Sequence, residues 1–265
     1  MARVVVTGST RGIGLGLVKE FRRLGHDVVV SSRGADVVAR AVAEVEAAPG
    51  SGRVVGQACD VSDEAAVQAL WDAAAGALGG VDVWINNAGL TGPRRNLADL
   101  TREEIAPVFG ANLWGMIWGT RVPLAGMSAQ GHGKIFNFEG FGSDGMTAPG
   151  LTVYGLTKRA LTYFTKSVNK EIAGSPVLLG TISPGIVVTD LLEKSKDADP
   201  AKWARTKKIY NILADRVETV VPFLAAEVLA ANRPGTAIRW LTRRKAAWRF
   251  MSAGITKRRV MPDET

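Results

Sequence analysis

The stretch Val4–Phe21, VVVTGSTRGIGLGLVKEF, decides the fold. Val4–Thr7 is a short apolar, β-branched run, the mark of a buried strand. A glycine loop follows, and from Leu15 to Leu24 the pattern turns amphipathic and helical, closed by Gly25. Each glycine has a task in such a strand–loop–helix unit. Gly8 permits the tight turn out of the strand, Gly12 lets the main chain approach a phosphate oxygen, and Gly14 lets the helix pack close to the strand. The helix then turns its positive end and its free N–H groups toward a pyrophosphate. The expected contacts are Gly8, Ser9, Thr10, Arg11, Gly12, Ile13 and Gly14.

Outward from this unit, apolar runs and helical stretches alternate. Strands are expected at Asp27–Ser32, Val54–Cys59, Val81–Asn86, Lys134–Phe138 and Val177–Ser183. Helices are expected at Ala35–Ala47, Asp63–Leu78, Ile105–Ala125 and Val153–Ile172. Repeated βαβ units with right-handed crossovers give an α/β fold, a doubly wound parallel sheet of the Rossmann type. No repeat or low-complexity linker divides the chain, so a single catalytic domain over 1–235 is expected, with a basic C-terminal extension over 236–265. The polar, proline-containing segment Leu191–Ala201, or more broadly 191–211, is placed as a lid after strand six.

Composition sets bounds. The chain has 265 residues, of which 46% are hydrophobic, enough for a large core and too many for a disordered chain. No uninterrupted apolar stretch is long enough to span a bilayer, and because a strand starts within the first few residues, no signal or import peptide is expected. Cys59 is the only cysteine, which excludes an internal disulfide and suits a reducing compartment. A cytoplasmic location follows as an expectation. His26 and His132 are the only histidines and read as loop residues, so no metal site is expected.

Cofactor choice is read at the end of strand two. An acid there binds the ribose hydroxyls of NAD. Here the end reads VVVSSR, with Ser32 and Arg33 and no carboxylate before Asp36. Arg33, together with Arg11, can clamp a 2′-phosphate through charge-assisted hydrogen bonds, which points to NADP(H). Asp60 and Val61 follow strand three, where an aspartate can bond the adenine amino group. WINNAGL, Trp84–Leu90, ends strand four. Small and amide residues there, Asn87, Ala88 and Gly89, let the backbone pass the adenine ribose, while Asn86 ties neighbouring strands.

Tyr154 and Lys158 stand at i and i+4 and share one helix face. A free phenol titrates near 10; a nearby ammonium and a cationic nicotinamide are expected to lower it into a useful range for acid–base work. Tyr-x-x-x-Lys pairs are common on helices, so the weight lies with the motifs around the pair. TGSTRGIG, CDV, NNAG, Asn112, YGLTK and SPG, in that order and spacing, resemble the short-chain dehydrogenase/reductase family over roughly residues 1–190. The resemblance implies Tyr154 as general acid/base, Lys158 as its partner and as a nicotinamide-ribose ligand, a substrate-binding serine, and Asn112 in a water relay. It also places Pro184, Gly185, Ile186 and Thr189 along the nicotinamide. The family's serine usually lies 13 residues before the tyrosine, a position held here by Phe141. The loop FNFEGFGSDGMTAPGLTVYGLTK instead resembles that of the chlorophyll(ide) b reductases, which carry N-x-D-G-x-G-S-G-G; this gives the serine role to Ser143 and sets Glu139 where those relatives have an aspartate.

The implied reaction is NADPH-dependent reduction of a formyl group to a hydroxymethyl group, on a tetrapyrrole or another large, lipophilic carbonyl compound. Two alternatives stay open: a general ketone or acyl-thioester reductase or alcohol dehydrogenase, and a non-catalytic NADP-binding sensor or scaffold. By the same resemblance a homodimer or homotetramer forms through the helices around 105–125 and 153–172. The net charge of +8 is concentrated in the tail: nine basic residues and no acid lie between Arg233 and Val260, and residues 1–232 carry only +1 once these and the acids Asp263 and Glu264 are set aside. If 235–255 is helical, Ile238, Leu241, Trp248, Met251 and Ile255 form one stripe. Such a helix either meets anionic lipid as a peripheral contact or packs on the body or a second subunit. No nucleic-acid-binding module accompanies the charge, so nucleic acid is not an expected partner.

Overall fold

The computed structural model describes residues 1–189, 200–256 and 258–261. Seven parallel strands form one sheet: β1 (Arg3–Thr7), β2 (Asp27–Ser32), β3 (Val54–Ala58), β4 (Val83–Asn86), β5 (Gly133–Phe138), β6 (Val177–Ser183) and β9 (Ala237–Arg239), in the order β3-β2-β1-β4-β5-β6-β9. Side chains alternate across the strands, and this alternation builds two cores. Val4 and Val6 of β1 face one layer with Leu17, Val18 and Phe21 of α1 (Gly12–Arg23), Val38 and Val45 of α2 (Ala35–Ala47), and Leu224 of α8 (Val217–Ala230). Val5 faces the opposite layer with Leu70 and Trp71 of α3 (Glu64–Leu78) and Val122 and Met127 of α5 (Gly115–Gln130). The doubly wound α/β fold is as expected.

Strand order reverses at β1, whose neighbours are β2 and β4. The crevice of a doubly wound sheet lies beyond the carboxyl ends of the strands at that switch. Asn86 fastens the next pair there, its Nδ2 donating to Asn137 Oδ1 at 2.8 Å and to Gly119 O at 2.8 Å.

Three readings of the sequence change. The helical stretch expected over Ile105–Ala125 is broken into α4 (Arg102–Phe109), a π-helical turn at Gly110–Trp114 and α5. Asn112 sits in that wider turn. β9 joins the sheet beside β6, so the start of the basic segment is strand rather than helix, and Ile238 is buried as a core residue. Helix α9 is confined to Arg243–Ser252. The lid expectation falls largely outside the described residues; its later part is helical, within α7 (Pro200–Leu213). A small two-stranded sheet pairs β7 (Val187–Val188) with β8 (Asp215–Arg216). No helix among the described residues is long and apolar enough to cross a membrane.

Candidate active site

Chain geometry at the switch point explains the glycines. Gly8 has φ +64°, and a Cβ there would lie 2.8 Å from Ala88 Cα. A Cβ on Gly14 would meet Gly8 O and Asn87 Nδ2, each at 2.5 Å, so helix α1 can start this close to the end of β1 only with glycine. Arg11 at the N-cap of α1 makes no side-chain capping bond. The first N–H groups of the helix therefore have no side-chain cap and need an outside acceptor.

A groove of about 380 Å³ opens at this end. Gly8, Thr10, Arg11, Gly12, Ile13 and Gly14 form its floor, and Ser32, Arg33, Asp60 and Val61 one side. Asn87, Ala88, Gly89 and Thr189 close it. Its volume is in the range of small-molecule sites, and the uncapped helix start and glycine floor suit a dinucleotide diphosphate. Asp60 accepts from Ser62 N at 2.9 Å and Ser62 Oγ at 2.7 Å. Burial pushes the Asp60 carboxyl up, but those two bonds and the Arg33 guanidinium outweigh it and hold the group below its ordinary value. Asp36, the first acid after β2, pairs with Arg40 within α2 at 3.1 Å and does not line the groove.

Not every expected contact faces this groove. Ser9 is fully buried; its Oγ donates to Val6 O and accepts from Ser31 N, so it stitches β1 to β2 instead. Pro184, Gly185 and Ile186 lie outside the groove's lining. A Cβ on Gly185 would stand 2.6 Å from Leu241 Cβ, and Ile186 O accepts from Asp215 N at 2.9 Å. The groove also uses Cys59, the first residue of CDV, and Ala106, Pro107 and Ala111, which carry no sequence signal for such a role. Burial pushes the Cys59 thiol up to about 12.

Helix α6 (Thr152–Glu171) carries Tyr154 and Lys158. Lys158 is buried, and its Nζ donates to Phe138 O at 2.9 Å at the end of β5. Gly140, two residues on, packs against the pair: a Cβ there would stand 2.3 Å from the Tyr154 hydroxyl and 3.2 Å from Lys158 Cε. The turn after β5 thus holds the phenol and the ammonium side by side. Burial pushes the Lys158 ammonium down to about 8, with Glu139 pulling the other way. Burial pushes the phenol up to about 12, and the Arg94 guanidinium opposes this without overcoming it.

Ser143 is buried, and its Oγ accepts from Gly140 N at 3.1 Å. Its carbonyl accepts from Arg159 Nη1 and Thr162 Oγ1 on α6. Ser143 is therefore one residue removed from the Tyr154 hydroxyl, through Gly140. Asn112 is tied down by three bonds: Oδ1 accepts from Leu90 N, and Nδ2 donates to Leu90 O and to Thr157 Oγ1, each at 2.8–2.9 Å. Thr157, within YGLTK, is the residue the sequence reading passed over. Asn112, Lys158, Asn86, Asn137 and Thr7 line a pocket of about 10 Å³, whose size and polarity suit one water molecule.

Residues 2–200 match the short chain dehydrogenase family. The chain is 36% identical over 258 residues to chlorophyll(ide) b reductase NOL, chloroplastic, of Oryza sativa subsp. japonica, covering 94% of this chain and 74% of that protein. It is 34% identical over 277 residues to the probable chlorophyll(ide) b reductase NYC1, chloroplastic, of the same plant, covering 98% of this chain and 54% of that protein. The chain thus spans about half the length of NYC1. Among solved structures, a short chain dehydrogenase from Burkholderia cenocepacia J2315 in complex with NADP superposes with a TM-score of 0.75 at 25% identity, over 90% of this chain and 96% of that one. With a family match over most of its length and relatives similar along nearly all of it, the chain belongs to the short-chain dehydrogenase family.

Proposed function

We propose that the protein is an NADPH-dependent carbonyl reductase whose substrate is a formyl group on a large, flat compound of the chlorophyllide b kind. The observation that carries the reading is the meeting of the Tyr154 hydroxyl and the Lys158 side chain on Gly140, beside the switch-point groove. The names of the plant relatives supply the substrate class.

When bound, the reduced nicotinamide supplies a hydride to the carbonyl carbon. The protein's own groups do the rest. A phenol poised near 12 is fully protonated at neutral pH, so Tyr154 is ready to give its proton to the developing alkoxide. Ser143 Oγ accepts from Gly140 N, which leaves its hydroxyl proton for the same oxygen. The Lys158 ammonium faces the phenol and stabilises the phenolate left behind. The small polar pocket between Lys158 and Asn112 is the route by which that proton is replaced. Arg33 and Arg11 on the groove wall, with no acid at the end of β2, favour a 2′-phosphate over a free ribose hydroxyl. Self-association through α5 and α6 is favoured by the exposed Trp114, just before α5, and Leu156 and Tyr163 on α6.

The test is NADPH oxidation with chlorophyllide b, compared with a small aliphatic ketone and with NADH as donor. Tyr154→Phe should abolish turnover while NADPH still binds. Equal rates on the small ketone would favour a general reductase; NADPH binding without turnover on a broad aldehyde panel would favour the sensor.

A further inference from the structure

Helix α9 has two faces of different character. Its inner face is fixed to the body. Arg249 Nη1 reaches Asp215 Oδ2 at 2.8 Å and Leu213 O at 2.8 Å, and Lys245 Nζ lies 3.0 Å from the centre of the Trp240 ring. Thr242 caps the start through Lys245 N. The outer face is left apolar and uncovered. Trp248 is 66% exposed, Met251 71% and Ile255, just past the last turn, 91%. Their spacing of three and four places them on one side, and Arg244, four residues before Trp248, shares it. Phe250 and Arg243 are exposed too, about 100° further round the helix from Met251.

Burying a tryptophan, a methionine and an isoleucine is strongly favourable, so a partner that covers this face gains from all three. The charge says which partner. No acidic residue lies between Glu227 and Asp263, and the exposed cations Arg233, Arg239, Arg243 and Arg244 belong to this stretch. Pairing with the same face of a second copy sets arginine against arginine with no carboxylate to relieve it. An anionic bilayer offers an apolar interior for the Trp248 side chain and phosphates for the arginines. A ten-residue helix is too short to span, so it would lie in the interface plane.

We propose that the outer face of α9 is an interfacial anchor that seats the protein on anionic lipid. The helix begins two residues after Leu241, which packs on Gly185 beside the cofactor groove. Anchoring there would hold the active-site end of the sheet near the bilayer, where a lipophilic carbonyl substrate is dissolved. Lipid binding itself needs no turnover, so it is tested apart from the catalytic reading.

The experiment is flotation of the full chain with vesicles of phosphatidylcholine alone and of phosphatidylcholine mixed with phosphatidylglycerol. Wild type should float with the mixed vesicles, bind the neutral ones weakly, and be released by salt. Trp248→Ser combined with Met251→Ser should weaken partitioning by about 100-fold. Arg243→Gln with Arg244→Gln should weaken it by about tenfold or more. All four side chains are exposed, so NADPH affinity and melting temperature should stay as in wild type. Failure of wild type to float, or equal flotation of wild type and the serine variant, overturns the proposal. So does a shift of the serine variant to a smaller species in size-exclusion chromatography, which would make the face a contact between copies.

Discussion

Lys158 should cost the fold stability, and Lys158→Met should return it. Burial holds the ammonium near 8, against an ordinary value of 10.5. A difference of that size corresponds to roughly 3 kcal/mol of penalty whenever the lysine is charged in the folded state. Methionine fills nearly the same volume without the charge, but it leaves Phe138 O without the 2.9 Å bond, at a cost of about 1 kcal/mol. The net expectation near pH 7 is a variant more stable by about 2 kcal/mol, or about 4–8 °C in melting temperature for a chain of this size.

The pH dependence separates this from a generic packing effect. The folded protein gives up the Lys158 proton near pH 8 and the unfolded chain gives it up near 10.5. Between those values the unfolded state binds one more proton, so raising the pH stabilises wild type through this group. The advantage of Lys158→Met should therefore be full below pH 8, pass through zero at about pH 9.5, and become a deficit of about 1 kcal/mol, the lost hydrogen bond, by about 10.5. Urea unfolding of both proteins at fixed concentration, at pH steps from 7 to about 10.5, measures the difference, and groups common to both cancel. A variant less stable than wild type at pH 7, or two pH curves that run parallel, would refute the reasoning.

Four further outcomes are expected. Glu139→Gln removes the group that opposes the lowering of Lys158, so the fall of kcat/KM on the alkaline side should begin at lower pH, read from a pH–rate profile with NADPH binding as control. Arg33→Ala should raise the KM for NADPH by about 10- to 100-fold while leaving that for NADH nearly unchanged, as loss of a charge-assisted bond to a 2′-phosphate requires. Gly140→Ala drives a methyl group to within 2.3 Å of the Tyr154 hydroxyl and should abolish turnover with NADPH affinity retained, measured by cofactor fluorescence. Asp215→Ala strands Arg249 and Arg258, which bond it at 2.8 Å and 2.5 Å, and should lower unfolding free energy by about 3–5 kcal/mol.

How much could be read from the sequence depended on how local each signal was. β2 and β6 and helix α2 fall at the expected residues because buried parallel strands are apolar runs and α2 repeats its apolar face without a break. β9 escaped notice because it has three residues and only Ile238 points inward; its pairing with Thr181–Ser183 defines it, and that is a contact across more than fifty residues. The π-helical turn around Asn112 widens the helix by one residue per bond and leaves no compositional mark. The resemblance gives Ser143 the serine role; its link toward the Tyr154–Lys158 pair runs through Gly140 N, a backbone group invisible to side-chain patterns. For Tyr154, too, only part of the surroundings is legible. Sequence spacing shows the neighbouring lysine, whereas desolvation depends on everything packed around the phenol.

The basic tail is the place where one charge pattern serves two ends. Asp215 is buried at 3% exposure and is held from three sides by Arg249, Arg258 and the Trp240 indole N–H. Burial alone would raise this carboxyl, yet the bonds from Arg249 and Trp240 with the two guanidinium charges keep it below its ordinary value. The same aspartate donates its N–H to Ile186 O, and its strand pairs with Val187. Trp240 N bonds Ser183 O, and Leu241 packs on Gly185. The stretch Gly185–Val188, most of the segment that the family resemblance sets along the nicotinamide, is thus framed by residues 215–241, while Thr189 closes the glycine groove. Two of the arginines that make the tail basic are spent inward on this frame. Arg233, Arg239, Arg243 and Arg244 remain on the surface, the last two on α9 itself. A truncation at residue 235 would therefore remove β9 and the Asp215 partners together, and should cost the substrate side of the site its shape even where the glycine floor under the diphosphate survives.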